Sequence, residues 1–154
     1  MFRFGWIGLC VVVIDQISKW LAVTYLITGP ITLLPVLKLV LVYNRGAAFG
    51  FLNEAPGWQN GLFIAIALVV SVIILNMIRG LGPGELHIRI ALWGILGGAI
   101  GNLIDRIRAG AVVDFIQVIP QFPVFNLADS AITLGAVILV MDAFGFRLFW
   151  KKGI

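Results

Sequence analysis

The chain alternates long apolar runs with short polar interruptions, and the runs have the length of bilayer-crossing helices. Four segments stand out, residues 4–26, 62–78, 88–104 and 127–150, each close to the roughly 20 apolar residues that one crossing requires. The first is apolar except for Asp15, Gln16, Ser18 and Lys19, with Asp15 and Lys19 four apart on one helical face. The second is interrupted only by Ser71 and Asn76 and predicts a plain lipid-facing span. The third carries Gly94, Gly97, Gly98 and Gly101, overlapping small-xxx-small pairs that let a neighbouring backbone come close. The fourth opens with Asn126-Leu127-Ala128-Asp129 and ends among Arg147, Lys151 and Lys152.

The connecting stretches divide unequally. Residues 28–60 form a long outer connection whose middle, 32–43, is dense in Val, Leu and Ile and contains Pro35, a composition that favours strand over helix. Asn44-Arg45-Gly46-Ala47-Ala48-Phe49-Gly50 follows and predicts a pliable loop able to bring backbone close to a ligand. Residues 105–126 hold Val112-Val113-Asp114-Phe115-Ile116 and then Pro120 and Pro123, too short and too broken for another span. With no internal repeat and no hydrophilic linker, residues 1–154 read as a single integral membrane domain. Arg3 and the apolar run behind it have the look of a secretory signal, but Asp15 and Lys19 stand where a small-residue cleavage site belongs, which predicts an uncleaved first span.

Composition excludes a soluble domain. Of 154 residues, 61% are apolar and 12% charged, against roughly 45–50% and about 25% in soluble proteins. The net charge of +4 is spread without a run or stripe, so it marks topology and not nucleic acid. With both termini cytoplasmic, that side holds Arg3, Arg79, Arg89, Arg147, Lys151 and Lys152, and the outer side Lys38, Arg45, Arg106 and Arg108. Cys10, the one cysteine, falls in an apolar run and is expected to be buried and inert; it permits no intramolecular disulfide and no thiolate metal site.

The scarce carboxylates carry the chemistry. Glu85 and Asp142 belong to the cytoplasmic side, Asp142 solvated or paired with Arg147, and Glu54 to the outer loop. Asp105, Asp114 and Asp129 gather near the outer ends of the third and fourth spans, and Asp15 joins them if the first span tilts. An ionisable group at membrane depth costs about 2.5–3.5 kcal/mol on insertion scales, so several at one depth suggest a site. Bland readings stand beside this one. Asn126 and Asp129 have the spacing of a helix cap; Asp105 with Arg106 makes an ordinary surface pair; Asp15 with Lys19 makes an intrahelical ion pair. Asp114 resists such a reading, because apolar residues flank it and no basic residue lies within five positions, so its pKa should be pushed up. If Asp129 lies beside it, the two share a proton, the arrangement by which aspartic proteases activate water. One Cys and one His, both away from these positions, exclude Cys-His, Ser-His and histidine-rich zinc chemistry.

Four blocks, in order, resemble the lipoprotein signal peptidase (signal peptidase II) family: Asp15-Gln16-Ile17-Ser18-Lys19; Tyr43-Asn44-Arg45-Gly46-Ala47-Ala48-Phe49; the run from Gly97 through Asn102 and Asp105-Arg106 into Val112-Val113-Asp114-Phe115; and Phe125-Asn126-Leu127-Ala128-Asp129-Ser130. The resemblance implies an all-α membrane protein of four transmembrane helices, with a small β-sheet and a flexible loop on the outer, periplasmic face. It implies an aspartic endopeptidase of the bacterial inner membrane that cleaves just before a diacylglyceryl-modified cysteine in a prolipoprotein, with Asp114 and Asp129 as the catalytic pair. Asp15, Asn44, Asn102, Arg106 and Asn126 become residues that line the cleft or hold its loops, the Asn44 and Asn102 amides and Arg106 orienting the substrate backbone. Asn126 and the positive helix end would keep Asp129 ionised while Asp114 holds the proton. No cofactor, metal or nucleic acid is implied, the partners are the lipid-modified precursor and membrane lipid, and a monomer suffices. Arg45 replaces the family's usual small polar residue and adds charge at the cleft rim. A contrasting reading is a small proton-coupled transporter with Asp15 and Lys19 as a mid-membrane relay, which requires ionisable groups open to both sides; a structural or assembly subunit would need no acidic pair at all.

Overall fold

Three glycines on one helix decide how the bundle closes, in a computed structural model that describes residues 4–46 and 57–146. Among the described residues the helices are α1 (Gly5–Tyr25), α2 (Trp58–Gly80), α3 (Leu86–Ala109) and α4 (Leu127–Ala143), and the strands β1 (Ile31–Leu34), β2 (Leu37–Asn44) and β3 (Val112–Gln117). Helix α3 lies between the others. A methyl group on Gly97 would stand 2.6 Å from the Gly8 carbonyl oxygen of α1, and one on Gly98 would stand 2.5 Å from the Ala128 carbonyl oxygen of α4. One on Gly101 would stand 2.5 Å from the Asp15 carboxylate. The small-residue spacing does the work expected of it, letting two backbones meet α3 closely.

Helices α1, α2 and α3 are each long and apolar enough to cross a membrane; the described part of α4 has 17 residues. Helix α2 begins four residues earlier than the apolar run, because the Gln59 side chain accepts from the Gly57 N–H at 2.8 Å and satisfies a donor at the helix entry. Helix α3 ends at Gly110, whose φ of 70° is the left-handed conformation that glycine adopts without strain, and the chain enters β3 two residues later. Ile74, Ile78, Leu92, Trp93 and Leu96 knit the C-terminal part of α2 to the N-terminal part of α3. Trp6, Leu9, Ile17 and Trp20 of α1 point outward, fully consistent with a surface solvated by lipid.

One expectation needs correction here. Cys10 is exposed, not buried, since α1 turns Gly8, Asp15, Lys19 and Ala22 toward the bundle and leaves Cys10 on the opposite face. Asp142, partly exposed, also meets His87 Nε2 at 2.7 Å, where the start of α3 and the end of α4 lie side by side; Arg147, its expected alternative partner, lies outside the described residues.

The strand expectation over 32–43 holds, split by a turn at Pro35 and Val36 into a β1–β2 hairpin. Residues 105–126 supply its third member: β3 pairs antiparallel with β2, with Val42 opposite Asp114 and Asn44 opposite Val112. The sheet order is β1-β2-β3. After β3 the chain turns through Pro120 and Pro123 and comes back so that Phe125 bridges Ile116. Phe115 with Ala22 and Leu26 seats the sheet on the end of α1.

Candidate active site

Asn126 sits in extended conformation at the head of α4 and makes both halves of a capping box: its Oδ1 accepts from Asp129 N–H at 2.9 Å, and its own N–H donates to Asp129 Oδ2 at 3.2 Å. The capping reading of Asp129 is therefore correct as far as it goes. It leaves Asp129 Oδ1 free of the cap, and that oxygen accepts from Asn102 Nδ2 at 2.8 Å.

Asp114 arrives from the sheet. Antiparallel pairing puts Asn44 and Asp114 diagonally on one face of β2 and β3, and Asn44 Nδ2 donates to Asp114 Oδ2 at 3.0 Å. Asn44 Oδ1 accepts from the Gly46 N–H at 3.0 Å, which fixes the orientation of the amide. The other oxygen, Asp114 Oδ1, accepts from Asn126 Nδ2 at 2.7 Å. A single fully buried asparagine thus touches both carboxylates, one through its side-chain amide and the other through its backbone. Asn44 and Asn102, whose amides are expected to orient a substrate backbone, each donate to one of the two carboxylates.

Behind them lies a buried ionic cluster. Asp15 is 0% exposed, Lys19 3% and Asp105 8%. Lys19 Nζ lies 2.8 Å from Asp15 Oδ2, from Asp105 Oδ2 and from Asn102 Oδ1. Asp15 Oδ1 accepts from the Ala128 N–H at 3.0 Å, and Asp105 Oδ2 from the Val113 N–H at 3.2 Å. Gln16, a residue without a role in the sequence reading, donates to the Gly101 carbonyl and to Asp105 Oδ1. Asp105 therefore pairs with Lys19, 86 positions away, and not with its neighbour Arg106 at the surface.

Arg106 turns the other way. Its guanidinium stacks on Phe63 at 4.4 Å and donates to the Gly46 carbonyl at 2.7 Å, while Nη1 is buried and makes no hydrogen bond among the described residues. Asn60 Nδ2 donates to the Arg106 carbonyl at 3.1 Å, so the first turn of α2 braces the same spot. Arg45 is exposed at the rim beside Gly46. Ala47 to Phe49, and Glu54 with the loop around it, lie outside the described residues.

These elements enclose a cleft of about 680 Å³. Its lining combines polar groups, Asn44, Asn102, Arg106, Asp114 and Asp129, with apolar ones, Phe122, Pro123, Phe125, Ile132 and Leu134. Asp114 is 2% exposed. Burial pushes its pKa up to about 6, helped by the negative charge of Asp129 and opposed by the amide donors of Asn44 and Asn126. A carboxyl that holds its proton to near neutrality, next to a second carboxyl in a half-apolar cleft, can polarise a carbonyl while its partner takes a proton from water. His87 and Cys10, the chain's only imidazole and thiol, sit elsewhere, so the donor set of the cleft is that of hard oxygen and amide groups.

Comparison with known proteins agrees with this architecture. Residues 7–145 match the family model described as signal peptidase (SPase) II. The chain is 46% identical over 145 residues to the lipoprotein signal peptidase of Acinetobacter baylyi, covering 90% of this chain and 81% of that one. It is 48% identical over 153 residues to the lipoprotein signal peptidase of Pseudomonas aeruginosa, covering 92% and 90%. Two solved bacterial membrane enzymes superpose on it, one with a TM-score of 0.80 at 27% identity over 96% of this chain and 92% of the other, the second with 0.78 at 30% identity over 89% of each. With a family model spanning nearly all of it and relatives approaching half identity, this membrane protein belongs to the signal peptidase II family of peptidases.

Proposed function

We propose that the protein is an aspartic endopeptidase of the bacterial inner membrane that removes the signal peptide from diacylglyceryl-modified prolipoproteins, cutting just before the lipid-bearing cysteine. The observation that carries this reading is the joint grip of Asn126 on Asp114 and Asp129 within the cleft. Asp114 holds a proton, being the more deeply buried of the two; Asp129, at the positive end of the α4 dipole, is the ionised partner. Asp129 takes a proton from water as the water oxygen bonds to the scissile carbonyl carbon, and Asp114 gives its proton toward the carbonyl oxygen. The tetrahedral adduct collapses with breakage of the C–N bond: the hydroxyl formed with the proton of Asp114 returns it to Asp114 as the C=O reforms, and the leaving nitrogen takes the proton that Asp129 received. The spare Nη1 of Arg106 is placed to orient the substrate backbone.

In this account α4 is a fourth span, both termini are cytoplasmic, the sheet and cleft face the periplasm, and one chain completes the site. The apolar part of the cleft lining suits a substrate whose signal helix and acyl chains both favour hydrocarbon. The transporter reading has no support: Asp15 and Lys19 are sealed off and saturated with partners, and the relatives are peptidases.

The test is reconstitution of the purified protein in lipid vesicles with a synthetic precursor, in diacylglyceryl-modified and unmodified forms. Cleavage immediately before the modified cysteine, at least tenfold faster than in the unmodified precursor and indifferent to EDTA, is expected. Equal cleavage of both forms would contradict the substrate assignment, and loss of activity with EDTA would contradict the carboxylate mechanism.

A further inference from the structure

Lys19 is expensive where it stands. A charged group in a span costs about 2.5–3.5 kcal/mol on insertion scales, and buried ion clusters can often be exchanged for apolar residues of like volume without loss of stability. Cohesion of the bundle is therefore a weak reason for Asp15, Lys19 and Asp105 to be there. Their outward contacts suggest a better one. Asp15 Oδ1 holds the Ala128 N–H in the first turn of the helix that carries Asp129. Asp105 Oδ2 holds the N–H of Val113, the residue before Asp114. Both carboxylates meet at the one ammonium.

The third contact sets an orientation. The two ends of an asparagine amide have the same shape, and which end faces a neighbour is decided by donors and acceptors on either side. Lys19 offers donors only, so its 2.8 Å contact requires the oxygen of Asn102, and the Asn102 nitrogen is turned onto Asp129 Oδ1 at 2.8 Å. Reversing the amide would oppose donor to donor at Lys19 and oxygen to carboxylate at Asp129. Asn126 Nδ2, at 3.2 Å from the same oxygen, reinforces the choice.

We propose that Lys19 is a positioning residue for the peptidase dyad: braced by Asp15 and Asp105, its ammonium holds the Asn102 amide in the orientation that donates to Asp129, and ties the start of α4 and the start of β3 to one point. This rests on the dyad reading above. Lys19 touches neither carboxylate of the dyad as a hydrogen-bond partner; it acts through Asn102 and through two backbone N–H groups.

The test uses the reconstituted cleavage assay. Lys19→Met alone leaves two buried carboxylates uncompensated, so the charge-balanced pair Lys19→Met/Asp105→Asn is the informative variant: one ammonium with two carboxylates and one carboxylate alone both sum to −1. Asn at position 105 keeps an oxygen for the Val113 N–H. The balanced variant should fold and lose 10- to 100-fold in kcat per folded molecule with KM within twofold of wild type. A merely structural role would lower the folded yield and leave kcat per folded molecule unchanged. Asn102→Ala should lower kcat comparably, and adding the balanced pair to it should cost less than a further threefold, since both act along one path. A kcat within twofold of wild type in the balanced variant, or full multiplication of the two effects, overturns the proposal. Should the balanced variant fail to fold, Asn102→Asp decides: its carboxylate still accepts from Lys19 but donates nothing to Asp129, so kcat should fall at least 100-fold, and a kcat within twofold of wild type overturns the proposal. Failure of the dyad itself is separable, because cleavage by Asp114→Asn would remove that reading whatever Lys19 does.

Discussion

The carboxyl of Asp114 is held between two demands, an apolar burial that favours the neutral acid and two amide donors that favour the anion. Burial prevails, and a pKa of about 6 means that ionising this group costs folding free energy. The sign is definite. Below pH 4 the acid is protonated folded or unfolded, and no cost arises; as pH rises past 4 the unfolded chain releases the proton first, and stability falls until the folded acid ionises too, above pH 6. At about 1.4 kcal/mol per pKa unit, the cost at neutral pH is at most about 3 kcal/mol. Asp114→Asn is neutral throughout, so its melting temperature relative to wild type should rise between pH 4 and pH 7 by several degrees in detergent. A gap that stays constant or narrows over that range would contradict the assignment. Asp114 was legible in the sequence because the buried strand that carries it is a local apolar run, Val112, Val113, Phe115 and Ile116, interrupted by one carboxylate. Asp105 was not, because the partner that buries it, Lys19, is contributed by another helix and no local pattern names it.

Helix α3 explains why the helices were easier to read than their contacts. Apolar runs fix a span within a few residues, and the small-residue spacing marks a close-packing face, yet neither says that Gly97 meets α1 while Gly98 meets α4. The strands behave alike: residues 32–43 have strand composition, but the partner of β2 is β3, about 70 residues on, and antiparallel register is what sets Asn44 against Asp114. The packing makes a prediction at this scale. Gly98→Ala forces a methyl to 2.5 Å from the Ala128 carbonyl oxygen and 2.8 Å from Ile132, and should destabilise by about 1–3 kcal/mol, the usual cost of overpacking. Gly101→Ala meets the Asp15 carboxylate that secures α4, so it should lose cleavage activity as well as stability. Gly61→Ala in α2, with open space around it, should be neutral or stabilising by up to about 1 kcal/mol. Thermal unfolding of the three variants in one detergent checks the order, and equal melting temperatures for Gly98→Ala and Gly61→Ala would contradict the close α3–α4 contact.

At the scale of the whole molecule, α1 has the length that the proposed bilayer crossing requires. Trp6 and Tyr25, both exposed, stand 19 residues apart on α1, about 28 Å at 1.5 Å per residue, which is close to the hydrocarbon thickness of about 30 Å. Asn102 lies seven residues before the end of α3, so Asp129, to which it donates, lies about 10 Å short of that end. On this reading the dyad works within the outer leaflet, where a precursor's signal helix ends and its acyl chains begin, and the costly polar cluster is confined to the one depth at which it is needed. In the proposed topology the net charge that in a soluble protein would suggest nucleic acid belongs to orientation, and of the described carboxylates Asp114 and Asp129 line the cleft while Asp15 and Asp105 lie behind it on Lys19. The most direct test of this account is to reconstitute Asp114→Asn and Asp129→Asn separately and to measure cleavage of the diacylglyceryl-modified precursor alongside thermal unfolding. Each variant should fold and insert as wild type does and lose cleavage by at least 1,000-fold, whereas wild-type turnover in either folded variant would contradict the two-carboxylate mechanism.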